Sequence, residues 1–249
     1  MRTITRKQLL YRTAVEYASW SANYVEGCSH ACKYPCYARL FRRFQEDRWR
    51  HPALVANALE LLDKELPRHM GEIKSVYLCF STDPFMYRWR EVGALSIEVI
   101  KKINAAGIPC VLLTKGIYPV DEIEKLSRIN GYGITVTSID EGYRREWEPG
   151  AAPVKERIAA LRALHSAGKK TWVSIEPYPT PNLIQQDLKK ILKTLGFVDQ
   201  VVFGRQNHNH LVTEYRDHKN FYNDAAKAVR NFCSVNGIEY YIKKGTITR

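Results

Sequence analysis

The chain has 249 residues, of which 45% are hydrophobic and 26% charged, as in an ordinary globular protein. Its 38 lysine and arginine residues outnumber 26 aspartate and glutamate residues, giving a net charge of +12, which favours an anionic partner such as nucleic acid or a phosphorylated substrate. The apolar runs are far too short to cross a bilayer and none follows the basic N-terminus, so we expect neither a membrane partner nor a secretory signal.

Predicted strands and helices alternate along the chain. Apolar runs predict six strands, at Ala18–Val25, Ser75–Phe80, Pro109–Thr114, Gly133–Ser138, Thr171–Ile175 and Gln200–Phe203. The segments between and after them predict six helices, at Ala53–Leu66, Gly93–Ala106, Val120–Ile129, Val154–Ala167, Ile184–Leu195 and Tyr222–Asn236. A short seventh strand, Glu239–Lys243, follows the last helix.

This alternation predicts an α/β fold with a parallel sheet. A full barrel has eight strand–helix repeats, whereas this chain has six, so we predict a partial, open (β/α)6 TIM barrel. A doubly wound open sheet is the alternative, but no glycine-rich dinucleotide-binding turn follows the first strand. We predict a single domain over residues 1–249, with a core at about 18–207 and a C-terminal helix and short strand within 208–249.

Three cysteines, Cys28, Cys32 and Cys36, lie within nine residues directly after the first predicted strand. Three thiolates on one loop can bind three irons of a four-iron cluster and leave the fourth iron open for chemistry, whereas a closed structural site uses four protein ligands. The other three cysteines are scattered in apolar segments, which does not fit a disulfide framework. We therefore expect an iron–sulfur centre in a reducing, cytoplasmic compartment.

Polar residues directly follow the other predicted strands. They are Ser81-Thr82-Asp83, Lys115, Ser138, Glu176 and the segment Arg205-Gln206-Asn207-His208. Because the C-terminal strand ends of a parallel barrel carry its active site, these groups and the cysteines predict one site at the barrel mouth.

With the cysteine loop and the polar strand ends in this order along the sequence, the chain resembles the radical S-adenosylmethionine (SAM) superfamily. Within that superfamily it resembles the spore photoproduct lyase-like, or DNA repair photolyase-like, group. The resemblance covers about residues 23–207 and is carried by Asn23-Tyr24, Gly27-Cys28, Cys36-Tyr37-Ala38-Arg39, Thr82-Asp83-Pro84-Phe85, Thr114-Lys115, Ser138-Ile139 and Glu148-Pro149-Gly150-Ala151-Ala152-Pro153. The family loop has two residues between its second and third cysteines, but this chain has three, Lys33-Tyr34-Pro35. This departure leaves open whether Tyr34 or Tyr37 packs near the adenine of SAM.

The resemblance implies a radical SAM domain with two cofactors, a [4Fe-4S] cluster on Cys28, Cys32 and Cys36 and SAM on the open iron. One electron from an external reductant would cleave SAM to a 5′-deoxyadenosyl radical, which takes a hydrogen atom from the substrate.

The resemblance also implies residue roles around SAM. The segment Ser81-Thr82-Asp83 would bind the methionine amino group and Lys115 the methionine carboxylate. Ser138 would contact the carboxylate or ribose, and Glu176 the ribose hydroxyls or the substrate. The alternatives are a solvated Lys115, a strand-end cap for Ser138 and a structural ion pair for Glu176.

Cys79 lies close to the position of a hydrogen-donor cysteine in photoproduct lyases, but its register differs by one residue. Successive strand residues face opposite sides, and a buried cysteine is often only a small hydrophobe. A catalytic role for Cys79 and a packing role are both open, and we expect a relative of spore photoproduct lyase rather than that enzyme itself.

The substrate class has two alternatives, nucleic acid (for lesion repair or base modification) and a peptide or small metabolite. The net charge favours nucleic acid, as do the arginines that alternate with aromatic residues after the cysteine loop. These residues are Arg39, Arg42, Arg43, Arg48 and Arg50, with Phe41, Phe44 and Trp49. A solvated face over packed aromatics is the simpler interpretation. Likewise, His208 and His210 could act as acid or base, or stand in an ordinary polar loop.

A zinc-binding module without enzymatic activity is an alternative of another class. His30 could complete the three cysteines as a fourth ligand. Such a site would not explain Lys115 or Thr82-Asp83-Pro84 at barrel strand ends, so we favour the enzyme.

Overall fold

A computed structural model describes residues 1–14, 16–42 and 45–248 of the chain. Its strands are β1 (Arg2–Ile4), β2 (Leu10–Arg12), β3 (Trp20–Ala22), β4 (Val25–Glu26), β5 (Ala53–Val55), β6 (Val76–Leu78), β7 (Cys110–Thr114), β8 (Gly131–Thr135), β9 (Lys170–Tyr178), β10 (Gln200–Arg205) and β11 (Glu239–Ile242). Its helices are α1 (Tyr37–Arg42), α2 (Glu46–Arg50), α3 (Ala58–His69), α4 (Arg90–Ala105), α5 (Val120–Ile123), α6 (Glu141–Trp147), α7 (Val154–Ser166), α8 (Leu188–Leu195), α9 (His210–Glu214) and α10 (His218–Val235).

The main sheet has eight strands in the order β11-β10-β9-β8-β7-β6-β3-β2. All neighbours in it are parallel except β2 and β3, which form an antiparallel edge. The strands from β3 to β10 therefore follow chain order across the sheet, as strands joined by helical crossovers do. The predicted α/β fold and partial barrel are confirmed, with β11 as a further parallel strand.

A second, small sheet lies beside the cysteine loop, in the order β1-β5-β4. The sequence predicts a helix from Ala53 to Leu66, and this is wrong for residues 53–55, which form strand β5. Ala53, Leu54 and Val55 pair instead with β1 on one side and β4 on the other, and α3 begins only at Ala58. Each strand has three residues or fewer, too short for a periodic sequence signal.

Several further boundaries differ from the prediction; the predicted strand Ala18–Val25, for example, is divided into β3 and β4, which lie in different sheets. The predicted helix from Val120 to Ile129 contains helix only at Val120–Ile123, before a series of turns. The fifth predicted strand ends at Ile175, whereas β9 continues through Glu176 to Tyr178, and residues of its extension line the site described below. Pro177 lies where the pairing of β9 with β10 shifts register, which is one of the places where a strand tolerates proline.

An aromatic cluster packs against the main sheet at β6 and β9. Trp172 of β9 packs with Tyr17, at 5.2 Å between ring centroids, and Tyr17 packs with Tyr77 of β6. Gly133 makes room for this packing, since a Cβ atom there would lie 2.3 Å from the Trp172 ring. In the described ranges, no helix is long and apolar enough to cross a membrane.

Candidate functional site

A cavity of about 410 Å³ opens at the C-terminal ends of the parallel strands. It is lined by the three cysteines of the loop, Tyr34 and Tyr37, Cys79, the segment Ser81–Asp83, Lys115 and Glu176. Arg205, Asn207 and His208 also line it, whereas Ser138, Gln206 and His210 do not. Residues from the loop, from the ends of five strands (β6 to β10) and from the C-terminal segment line the same cavity.

The cysteine loop (residues 28–36) is fixed by backbone hydrogen bonds to neighbouring segments. The N–H of Cys28 donates to the carbonyl of Trp49 at 2.7 Å, and the N–H of Lys33 donates to the carbonyl of Trp147 at 2.8 Å. The loop is therefore held from α2 on one side and from α6 on the other. Both hydrogen bonds are present in a loop with three residues between its second and third cysteines.

Gly150 allows the segment after α6 to lie directly on this loop. Its N–H donates to the carbonyl of His30 at 3.0 Å, and a Cβ atom at this position would lie only 2.1 Å from the carbonyl oxygen of Ser29. No side chain fits in that space, so the glycine is a packing requirement.

The three thiols of the loop are free and half-buried. Burial raises the pKa of the Cys28 thiol well above its usual range, with Asp83 adding to the effect. Burial also raises the pKa of Cys32, to about 11, although Lys115 acts in the opposite direction. Three thiols of one loop that line one cavity are a donor set that fits three irons of a four-iron cluster.

His30, at the centre of the loop, is buried and already has partners. Its Nε2 accepts the N–H of Tyr87 at 3.1 Å, so Nδ1 carries the proton and lies 3.5 Å from the Asp83 carboxylate. Burial lowers the pKa of His30 to about 4 despite Asp83, which keeps the ring neutral. Both nitrogens are engaged, so His30 is not free to complete a zinc site. Within the described ranges, no group of three or more Cys, His, Asp or Glu side chains is arranged to hold a single metal ion.

Asp83 connects the ends of β6 and β7. Its Oδ1 accepts the hydroxyl of Thr114 at 2.6 Å and the N–H of Phe85 at 2.9 Å. Its Oδ2 accepts the N–H of Lys115 at 2.8 Å. The carboxylate expected to face an ammonium group instead fixes the loops that carry Lys115 and His30.

Lys115 projects into the cavity with an available ammonium group. Its Nζ lies 5.5 Å from the centre of the Tyr34 ring, and no acceptor within the described ranges hydrogen-bonds to it. Burial opposes its charge, but Cys32 and Glu148 outweigh this effect and raise the pKa of Lys115. The cavity therefore contains a cation whose hydrogen-bond donors are unused.

Tyr34 of the cysteine loop and Tyr37, which directly follows the loop, have different surroundings. Tyr34 is buried, and its hydroxyl donates to Glu148 at 2.7 Å. Tyr37 is 46% exposed, its hydroxyl donates to the carbonyl of Phe80 at 2.6 Å, and its ring packs 5.2 Å from Phe80. Tyr34 is part of the internal support, whereas Tyr37 offers an aromatic face at the cavity rim.

The segment after β6 makes a tight turn into the cavity. Cys79 is buried in a left-handed conformation with φ of 53°, and its carbonyl accepts the N–H of Thr82. Ser81 donates from both its N–H and its hydroxyl to Asn23 Oδ1. Burial raises the pKa of the Cys79 thiol to about 12, so this group stays protonated.

Of Ser138 and Glu176, only Glu176 lines the cavity. The Ser138 hydroxyl accepts the N–H of Asp140 at 3.0 Å at the start of α6, and the residue does not line the cavity. Glu176 does line it and forms an ion pair with Lys243 at 3.0 Å. Burial raises the pKa of Glu176, with Lys243 opposing this. The predicted alternatives, a cap for Ser138 and an ion pair for Glu176, are thus both present in the structure.

Sequence reasoning did not identify several residues that line the cavity, among them Tyr17, Thr135, Ser174 and Lys243. Thr135 and Ser174 are polar residues inside apolar strands, and this signal could have revealed them. Lys243 follows the edge strand β11, and its approach to Glu176 depends on the tertiary fold alone.

The arginine–aromatic segment is only partly described. Arg43 and Phe44 lie outside the described residues, as do the side chains of Phe41 and Arg42. The remaining arginines form surface ion pairs, Arg39 and Arg50 with Glu46 and Arg48 with Glu26, and Trp49 is buried.

Comparison with known sequences gives a family match and two kinds of relative. The model of the Radical SAM superfamily matches residues 22–195. An uncharacterized protein of Acidianus two-tailed virus, ORF301, is 27% identical over 207 residues, which are 76% of this chain and 67% of that protein. The uncharacterized protein Rv2578c of Mycobacterium tuberculosis is 26% identical over 168 residues, 64% of this chain. The chain spans about half the length of this mycobacterial relative, at 49%.

Comparison with solved structures supports the same fold. Spore photoproduct lyase complexed with dinucleoside spore photoproduct superimposes with a TM-score of 0.71 at 15% identity, covering 96% of this chain and 81% of that one. Streptococcus suis SuiB bound to S-adenosylmethionine gives a TM-score of 0.55 at 13% identity, covering 77% and 45%. At such identities the likeness shows the architecture, which is that of the radical SAM partial barrel.

Proposed function

This chain belongs to the radical SAM superfamily, and from that premise we propose that it is an enzyme that uses a [4Fe-4S] cluster and SAM to modify or repair nucleic acid. The observation that carries the proposal is the convergence on one cavity of three free cysteines and a lysine without a hydrogen-bond partner among the described residues. A four-iron cluster needs the three cysteines, and the carboxylate of an amino acid fits the lysine.

Cys28, Cys32 and Cys36 would hold the cluster, and the loop contacts described above would fix their positions. When bound, the cluster and SAM supply reductive cleavage of the sulfonium to a 5′-deoxyadenosyl radical that takes a hydrogen atom from the substrate. The protein's part is to orient both cofactors, exclude water and bring the substrate to the cavity.

Lys115 would bind the methionine carboxylate, since its ammonium group is charged and its donors are unused. The segment Ser81–Asp83 supplies hydroxyl and backbone groups for the methionine amino group, while Asp83 positions the lysine. The exposed ring of Tyr37 suits the adenine better than the ring of Tyr34, which is buried.

Nucleic acid is the favoured substrate because the whole chain carries a net charge of +12, which attracts a phosphate backbone. Of the basic residues that line the cavity near its C-terminal segment, Lys243 is paired with Glu176, whereas Arg205 has no ion pair among the described residues. A spore photoproduct lyase of the same architecture has been solved with AdoMet and dinucleoside spore photoproduct. Cys79 is a candidate hydrogen-atom donor to a substrate radical; its S–H bond would break as a C–H bond forms, and an external reductant would restore the thiol.

The test is an anaerobic assay of the reconstituted protein with dithionite and SAM, with and without ultraviolet-irradiated single-stranded DNA. We expect 5′-deoxyadenosine by mass spectrometry, and a change in DNA product mass that requires SAM. The Cys28→Ala variant serves as the negative control. Full cluster loading without any 5′-deoxyadenosine would contradict the enzymatic proposal; 5′-deoxyadenosine without a DNA product would contradict the substrate.

A further inference from the structure

A second cavity of about 260 Å³, here called the side pocket, lies next to the first. It is enclosed by the segment after β10 and by the starts of α9 and α10, and Arg205, Asn207 and His208 line both cavities. Its volume is several times the roughly 30 Å³ that one water molecule occupies in the liquid. The side pocket is therefore large enough for part of a substrate that reacts in the main cavity.

Gln206 is the unusual residue of the side pocket. It is only 3% exposed, yet neither the oxygen nor the nitrogen of its side-chain amide has a hydrogen-bond partner within the described residues. Its backbone is fixed, because its N–H donates to the Tyr222 hydroxyl at 3.2 Å and that hydroxyl donates to the carbonyl of Tyr178 at 2.8 Å. Buried amides are almost always hydrogen-bonded, so this amide, which lines the side pocket, needs a partner that the described residues do not supply.

The chemistry of the ligand follows from two features. A glutamine amide presents a donor and an acceptor side by side, which matches a group that itself carries an acceptor next to a donor, such as the edge of a nucleobase. The described residues that line the side pocket include Arg205 and three histidines but no carboxylate. Arg205 uses its Nε to donate to Asn207 at 2.6 Å, which leaves its terminal nitrogens for an anion.

We propose that the side pocket holds one nucleobase of the nucleic acid substrate, paired through its edge with the Gln206 amide, with the adjoining phosphate on Arg205. This inference rests on the proposed function and adds the residue that recognises the base. A peptide amide would also match Gln206, but it brings no phosphate for the arginine, and the surroundings favour the nucleotide.

The test measures the binding of a short fluorescent oligothymidylate to the reconstituted full chain by anisotropy. The reference probe is an abasic deoxyribose-phosphate strand of the same length and charge. We expect the wild type to prefer the thymidylate, and Gln206→Met to bind it about tenfold more weakly, as loss of two hydrogen bonds predicts, with little change for the abasic strand. Gln186→Met is the matched control, because Gln186 lies outside the side pocket, and it keeps the preference.

Thermal unfolding separates recognition from a structural role. Since nothing in the described protein bonds to the Gln206 amide, Gln206→Met keeps the wild-type Tm or raises it. A large fall in Tm, equal binding of thymidylate by wild type and variant, or no preference over the abasic strand would overturn the inference. So would a neutral peptide amide that displaces the thymidylate from the wild type but not from the variant.

SAM cleavage, which tests the proposed function, is measured independently in the same preparation. A wild type that cleaves SAM but ignores the nucleobase would remove the side-pocket inference and leave the radical SAM proposal intact. A protein that binds thymidylate through Gln206 but cleaves no SAM would do the reverse.

Discussion

At the scale of single residues, Lys115 differs from the carboxyl groups that line the main cavity, because its ammonium group has no hydrogen-bond partner among the described residues. Asp83 accepts three hydrogen bonds, and Glu176 is paired with Lys243. The Lys115 ammonium, by contrast, contacts an aromatic ring and faces open space. A positive charge kept in this setting is suited to a ligand carboxylate.

Replacing Lys115 with methionine keeps the length of the side chain and removes its charge. We expect SAM to bind at least about tenfold more weakly, because a hydrogen bond to a charged group contributes about 1.5–3 kcal/mol, while iron and sulfide contents stay unchanged. Equilibrium dialysis with labelled SAM measures this. Lys101→Met, at an exposed helix position with the same change in net charge, controls for long-range electrostatics; equal SAM affinity in all three proteins would exclude Lys115 from the site.

Cys32→Ala tests the ligand set directly. We expect the variant to fold but to lose the four-iron cluster after reconstitution, since two remaining thiolates bind it poorly. Iron and sulfide analysis together with visible absorption gives the result. Cys233→Ala, which removes a buried thiol from α10 far from the loop in sequence, retains the cluster. A full cluster in Cys32→Ala would show that Cys32 is not a ligand.

Residue identities in the site were predictable where the chemistry follows directly from adjacent residues. The cysteine spacing and Lys115 after an apolar strand are of this kind. The partners of His30 and Asp83 were not predictable, because they come from loops more than 25 residues apart in the sequence. Such pairs exist only once the strands have assembled.

At the scale of elements, a buried ion pair joins α6, α7 and the cysteine loop. Glu148, at the end of α6, accepts from Arg157 of α7 at 2.8 Å, and the two side chains are 1% and 0% exposed. Tyr34 adds the loop to this pair through Glu148, and Arg157 also donates to the carbonyl of Thr135 at the end of β8. The position of the loop therefore depends on helices that carry no catalytic group.

Arg157→Met leaves the Glu148 carboxylate buried without its main partner. We expect a loss of about 3–5 kcal/mol in the free energy of unfolding, the usual cost of breaking a buried pair from one side. Urea unfolding of the protein measures it. Arg145→Met, an exposed arginine of α6, changes stability by less than about 0.5 kcal/mol. A similar small effect for Arg157→Met would mean that the pair does not hold the elements together.

The same pair predicts a pH dependence. Burial raises the pKa of Glu148, but Arg157 and then Lys115 outweigh it, so that folding lowers this pKa below its ordinary value of 4.5. Such a carboxyl stabilises the fold above pH 4.5 and loses this contribution as the pH falls through its lower folded pKa. The stability difference between wild type and Arg157→Met should therefore be largest above pH 4.5 and shrink below it in urea titrations. A difference that is constant with pH would contradict this.

Element boundaries show where sequence reasoning reaches its limit. The longer strands of the main sheet and the amphipathic helices that connect them were predictable from the periodicity of apolar residues. The three-residue strand β5 was not, since Ala53, Leu54 and Val55 are extended only because β1 and β4 lie on either side. Its neighbourhood matters for the site, because Cys28 bonds to Trp49 just before this strand.

At the scale of the whole molecule, parallel strand order places distant segments at one mouth. The cysteines near the N-terminus, Lys115 in the middle and Lys243 near the C-terminus line the same cavity because β3 and β6 to β11 lie side by side in one sheet. The strand order and the location of the site were predictable from the alternation of elements. The depth of the cavity, its aromatic floor around Tyr17 and the adjoining side pocket were not, since they depend on side-chain packing.

The central claim is that the three cysteines hold a four-iron cluster with one iron open to SAM. Anaerobic reconstitution with iron and sulfide, reduction, and electron paramagnetic resonance with and without SAM tests it most directly. We predict a reduced four-iron signal that changes when SAM is added. No cluster, or a signal indifferent to SAM, would contradict the account.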